Sequence, residues 1–212
     1  MAAYNLKTWE TLFQRALELI ESAQVPDAIR NDWTFGGGTV LMRRYMHRFS
    51  KDVDIFVPDP PWLGFLTPRL NATAESITSN YIEQVGFLKL YFPEGEIDFV
   101  ASNPLTKNSS IPETLFERSV LVETSTEIIA KKVWHRGEQF TARDMFDLAL
   151  VTEKEPKALL PIKRFLHDRR TVVMERIGKH EAVLRETFDA LEVLDFKRSY
   201  DECLDLVKKA FS

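Results

Sequence analysis

Apolar spacing changes several times along the first half of the chain, and each change predicts an element. From Leu6 to Ala23, Leu6, Trp9, Phe13, Leu17 and Ile20 recur at helical spacing, which predicts an amphipathic helix. Trp33–Phe35 reads as a short strand ending in Gly36-Gly37-Gly38, and Thr39–Arg48 resumes a helical pattern. Lys51–Val57 then alternates, with Asp52 and Asp54 on one face and Val53, Ile55 and Val57 on the other, the mark of a half-buried strand. Pro58, Pro60 and Pro61 interrupt the chain, and a short helix is expected over Leu63–Leu70. Ala74–Glu83, Phe87–Phe92 and Glu96–Ala101 read as an antiparallel meander, the last two joined by a turn at Pro93-Glu94-Gly95. Val120–Val122 is expected as a last edge strand.

After Ser125 the pattern is helical. Ser125 or Thr126 is placed to cap a helix through about His135, and Thr141 to cap another through Leu150. Further helices are predicted over Lys157–His167, over Arg170–Leu194 with a break near Gly178, and over Tyr200–Phe211. The sum is α+β: an α/β half over residues 1–123, followed by a helical half over residues 124–212.

Composition narrows the class without naming it. Hydrophobic residues make up 44% and charged residues 28%, a profile that can bury a core, and no apolar run is long enough to span a bilayer. No secretory leader is visible at the N-terminus, and the single cysteine, Cys203, excludes an intrachain disulfide; together they point to the cytoplasm. A net charge of −4 argues against a general nucleic-acid binder but leaves room for a local patch. Such an excess of Lys and Arg runs from Lys157 to Arg185.

Candidate chemistry starts with Asp52 and Asp54. Two residues apart on a strand, both carboxylates project from one face, and such a pair invites a divalent cation, Mg²⁺ or Mn²⁺, between or beside them. Taken alone, Asp-x-Asp is more simply a solvated strand face. The glycines change the balance: Gly36-Gly37-Gly38-Thr39 closes a strand and opens a helix, where free N–H groups and the helix dipole favour an anion, and the Thr39 hydroxyl adds a donor. Neither Walker nor Rossmann glycine spacing is present. Asp98 supplies a third carboxylate if its strand pairs beside the first, and Glu96 shares its face, so spacing leaves both open as ligands. Lys132 and Arg136 share one helical face, as do Asp144 and Asp147 on the next helix; this arrangement serves a salt bridge between helices as readily as a site.

These residues fall into an order that resembles a known family. Gly37-Gly38-Thr39-Val40-Leu41, Arg44-Tyr45-Met46-His47-Arg48, Ser50 and Asp52-Val53-Asp54-Ile55-Phe56 closely resemble the signature of the AbiEii/AbiGii-type nucleotidyltransferase toxins. Glu127-Ile128-Ile129-Ala130-Lys131-Lys132, Arg136 and Ala142-Arg143-Asp144-Met145-Phe146-Asp147-Leu148 are similar to its later motifs. The resemblance spans about residues 30–150 and implies a polymerase-β-type nucleotidyltransferase core, a mixed sheet with helices, followed here by a helical bundle. It implies that Asp52, Asp54 and Asp98 bind metal, that Gly37, Gly38 and Thr39 cradle the triphosphate, and that Lys132 neutralises phosphate charge. Lys131 stays open as the alternative lysine, and Asp144 or Asp147 matches the late aspartate; Arg48 is a candidate substrate or strand holder.

The implied activity is Mg²⁺- or Mn²⁺-dependent transfer of NMP from an NTP, with release of pyrophosphate. The implied setting is a toxin–antitoxin or abortive-infection pair, with the tRNA 3′ end as acceptor, a cognate antitoxin as partner and no membrane. The rival expectations are an antitoxin-type enzyme that adenylylates protein, and an inactive binding module of the same fold.

Overall fold

The computed structural model describes residues 5–26 and 30–212. Residues 1–4, part of the stretch read as carrying no leader, lie outside the described residues. Contacts divide the chain into two compact units. One holds the described residues through Val40 with Ser50–Pro104 and Ser110–Glu123; the other holds Leu41–Phe49, Leu105–Ser109 and Thr124–Ser212. No helix among the described residues is long and apolar enough to cross a membrane.

The first unit is a seven-stranded mixed sheet. In chain order its strands are β1 (Thr34–Gly36), β2 (Val53–Val57), β3 (Tyr81–Gln84), β4 (Phe87–Phe92), β5 (Gly95–Ala101), β6 (Ser110–Leu115) and β7 (Arg118–Glu123). They lie in the order β3-β4-β5-β2-β1-β7-β6. β2 runs antiparallel to β1 and parallel to β5, and β5 is antiparallel to β4. Alternation decides which face is which. Val53, Ile55, Val57, Ile97 and Phe99 are buried on the side where helix α1 (Thr8–Ser22) packs, and the Phe13 and Phe35 rings meet there at 4.6 Å. Each such side chain contributes roughly 1.5–3 kcal/mol by leaving water. A register slip of one residue would turn the acids inward, so burial of one face fixes the position of the other.

Several expected elements are redrawn. Ala74–Glu83 is not one strand: Ala72–Ile77 is helix α4 and only Tyr81–Gln84 is extended. The Asn71 side chain accepts from the Thr73 and Ala74 N–H groups at 2.9 and 3.1 Å, a helix cap that outweighs the apparent alternation. The helix expected over Leu63–Leu70 shrinks to α3 (Pro61–Gly64), started by a proline at its first position. Val120–Val122 is not an edge: β7 pairs with β1 on one side and β6 on the other. The unexpected β6 is the edge strand, the position that tolerates Pro112.

The second unit is helical. It takes in the C-terminal part of α2 (Gly37–Tyr45), then α5 (Ser125–Arg136), α6 (Ala142–Lys154), α7 (Lys163–Lys179), α8 (Glu181–Asp189) and α9 (Tyr200–Ala210). Thr124, one residue earlier than expected, caps α5, and the expected Thr141 caps α6 in a reciprocal capping box with Asp144. Lys157–His167 is not one α-helix. Pro156–Ile162 winds as a 3-10 segment around Pro161, and α7 starts only at Lys163. α7 ends at Lys179, so the break expected near Gly178 is present and splits off α8. α6 runs through the core, with Met145, Phe146, Leu148, Ala149 and Leu150 all buried. Leu105–Ser109 joins this unit because the buried Glu127 carboxylate accepts from the Leu105 and Thr106 N–H groups, both at 2.9 Å.

Candidate active site

Four adjacent strands bring Gly36, Asp54, Asp98 and Lys89 level with one another: Gly36 opposite Asp54, Asp54 opposite Asp98, and Asp98 opposite Lys89. Neighbouring strands are about 4.8 Å apart, so the two carboxylates leave the same sheet face one strand spacing from each other. Asp98 Oδ2 lies 3.1 Å from Lys89 Nζ, whereas Oδ1 is buried with no hydrogen-bond partner. Burial, helped by the charge of Asp54, pushes the Asp98 carboxyl up to about 6 even though Lys89 opposes the shift. Lys89 also pairs with Glu96. Burial would lower its pKa, but Glu96 and Asp98 hold the ammonium above its ordinary value.

Asp52 sits just ahead of β2, and its Oδ1 accepts the Glu96 N–H at 3.1 Å. Among the described residues, no three acidic, histidine or cysteine side chains form a group that could hold a metal ion. On the sheet, Asp54 and Asp98 form a level pair of carboxylates.

The glycine turn lies against Asp54. Gly37 has φ +74°, and a Cβ there would fall 1.9 Å from Asp54 Oδ2, so only glycine fits. α2 starts at the same residue, leaving its first N–H groups without intrahelical acceptors. Thr39 is fully buried and turned inward: its hydroxyl donates to the Asp52 carbonyl at 2.5 Å and lies 3.0 Å from Ser50 Oγ. That ties the helix start to the lead-in of β2. Glu123 stands on the other side of the turn, accepting from the Thr34 hydroxyl at 3.1 Å, and a Cβ on Gly36 would collide with it.

Within the helical unit, a second polar cluster is buried. Asp147 is fully buried and accepts from Arg48 Nε and Nη2 at 2.8 and 2.9 Å, with His47 Nε2 at 2.8 Å and Lys132 Nζ at 3.1 Å. Lys132 also reaches Asp144 Oδ1 at 2.8 Å, and Arg136 stands 3.5 Å from the same oxygen. Burial would raise both carboxyls, but Lys132 with Arg136 brings Asp144 below the usual range and Arg48 with Lys132 brings Asp147 well below it. Burial holds His47 below its ordinary value despite Asp147. Lys131 turns elsewhere, 3.7 Å from Glu127.

The structure thus gathers the expected residues in two groups. Gly37, Thr39, Asp52, Asp54 and Asp98 lie in the sheet unit, and Arg48, Lys132, Asp144 and Asp147 in the helical unit. Sequence reasoning passed over Lys89 and Glu123 as members of these groups. Lys89 alternates with Leu88 and Leu90, which marks its face but not its neighbour across the ladder.

The mixed sheet followed by a helical bundle is the expected nucleotidyltransferase architecture, and the comparisons with known proteins agree. Residues 23–210 match the sequence profile of the family described as "Nucleotidyl transferase AbiEii toxin, Type IV TA system", and the chain belongs to that family. An uncharacterized protein of Aquifex aeolicus is 23% identical over 185 residues, 84% of this chain and 86% of that one. Two solved structures share the fold. MenT4, a nucleotidyltransferase toxin of Mycobacterium tuberculosis, superposes with a TM-score of 0.56 at 19% identity, covering 99% of this chain and 84% of that one. A putative nucleotidyltransferase from H. pylori gives 0.54 at 14%, covering 99% and 96%.

Proposed function

We propose that this nucleotidyltransferase acts as the toxin of a toxin–antitoxin pair, moving NMP from an NTP to the 3′ end of tRNA in the cytoplasm, with Mg²⁺ or Mn²⁺ as cofactor and a cognate antitoxin as partner. The observation that carries the reading is the pair Asp54 and Asp98, level on neighbouring strands, with Asp54 against the start of α2 at Gly37. The residues fit a hard cation. Asp98 presents a buried oxygen with no hydrogen-bond partner, and Mg²⁺ typically takes one or two carboxylates and fills its shell with water and phosphate. Once bound, such an ion supplies positive charge to the phosphate oxygens and lowers the cost of ionising an attacking hydroxyl.

The chain's own groups do the rest. N–H groups at Gly37 and Gly38 bind polyphosphate, and Thr39 holds the turn that aims them. Asp52 anchors the start of the metal strand by accepting the Glu96 N–H. Within the helical unit, Asp144 and Asp147 hold the ammonium of Lys132, the lysine to which the family resemblance gives a catalytic role, and Arg48 holds Asp147. Part of the basic stretch is already engaged: Arg169 stacks on Trp134, and Arg185 pairs with Glu181 and Asp201. Exposed Lys157, Lys163, Arg164 and Arg170 are the better candidates for an acceptor backbone.

The test is a transfer assay with each of the four labelled NTPs, tRNA and lysate protein, with and without Mg²⁺. Label on tRNA, lost in Asp54→Ala by several orders of magnitude, is the expected result. Label on protein would change the acceptor, and near-native transfer by Asp54→Ala would overturn the site.

A further inference from the structure

Lys89 is out of place in a face built to attract cations. It stands on β4 directly opposite Asp98, with its Nζ between Asp98 and Glu96, and the ring of Tyr91 lies 5.9 Å away. The β4–β5 hairpin holds this position through six successive residue pairs, from Phe87 to Phe92 on β4. An ordinary cross-strand ion pair would involve one acid and leave the neighbouring acids to solvent. Here one ammonium serves two half-buried carboxylates while a third, Asp54, lies one strand further on.

Resting on the metal reading above, we propose that Lys89 is a tethered counter-cation. It holds Glu96 and one oxygen of Asp98, keeps Glu96 out of the ligand set, and leaves Asp98 Oδ1 as the oxygen offered to a divalent ion. This separates Asp98 from Glu96, which share a face and are equivalent by spacing. It also gives the metal-free protein a cation where two acids would otherwise repel. The cost is metal affinity: a fixed positive charge beside the site opposes a second one.

Mn²⁺ titration of the full chain, followed by the electron-spin signal of free Mn²⁺, tests the idea on wild type, Lys89→Met, Lys89→Gln and Lys89→Arg. The neutral variants are expected to bind Mn²⁺ about tenfold more tightly, the effect of removing one screened charge at close range, and Lys89→Arg to stay near wild type. Thermal unfolding without metal should show Lys89→Met less stable than wild type, with the difference closing as Mn²⁺ is added. Should Lys89→Met fail to fold, Lys89→Gln carries the test, since it removes the charge but keeps a hydrogen-bond donor in the side chain. If wild type binds Mn²⁺ and the neutral variants bind it no more tightly, the counter-cation inference falls and the metal reading stands. If none of the four proteins binds, the metal reading falls and this inference with it.

Discussion

Gly37 shows how little freedom the site leaves to a single residue. A side chain there would need a left-handed backbone and would overlap the Asp54 carboxylate. Gly37→Ala is expected to lower stability by roughly 1–3 kcal/mol and to abolish nucleotide transfer, measured by urea unfolding and the labelled-NTP assay. Asp98 gives a pH dependence with a definite sign. Its folded pKa of about 6 lies above the ordinary 3.8, so folding favours the protonated form. The associated stability is complete below pH 3.8 and is lost as pH rises through about 6. Without metal, Asp98→Asn should therefore gain on wild type across that window by about 2–3 kcal/mol and hold a constant lead above it, as read from urea midpoints against pH. A flat difference would show that Asp98 is not electrostatically strained. At this scale the sequence was informative about Asp54 and Asp98, whose strands alternate, and about the glycines, but not about Asp52, which precedes β2 and turns to the Glu96 N–H. Which oxygen is held and which is bare depends on Lys89, and that depends on ladder register.

Elements were legible where burial enforced a period. β2, β4 and β5 were readable because one face of each is buried over most of its length, so alternation survives in the sequence. β6 was not, since an edge strand with four polar or proline residues in six has no face that must be apolar. α4 was mistaken for a strand because Asn71 sets its start and lies outside the run being read. The α5–α6 pairing was legible as spacing, with Lys132 and Arg136 on one helix and Asp144 and Asp147 on the next. Its burial was not. That burial has a consequence at the level of packing: Asp147→Asn would leave Arg48 and Lys132 short of countercharge in a dry interior. A loss of about 3–5 kcal/mol is expected by chemical denaturation, large enough to unfold a marginal protein. A loss under 1 kcal/mol would mean water reaches the cluster.

For the molecule as a whole, net charge and local charge point in different directions. An overall −4 opposes nucleic acid at long range, so binding of an RNA acceptor must come from a small set of free cations. Reversing Arg164 and Arg170 to glutamate is expected to weaken tRNA binding and flatten its salt dependence by about two units of slope, measured by filter binding across salt concentrations. An unchanged slope would place the acceptor elsewhere. Fold class was legible at this scale because strand and helix periods separate cleanly near residue 123. The membership of Leu41–Phe49 and Leu105–Ser109 was not, because it depends on pairings such as Glu127 with the Leu105 and Thr106 amides.

That threading limits how the protein can be taken apart. A gene truncated to residues 124–212 would encode five helices and a fully buried aspartate, Asp147, deprived of both His47 and Arg48, which arrive from a stretch some hundred positions upstream. Expressed alone, that fragment should be unfolded or aggregated by circular dichroism, and adding residues 1–123 in trans should restore its helicity. Scissions tolerated by most two-part proteins would here strip Asp147 of its arginine and leave Lys132 as its remaining cation.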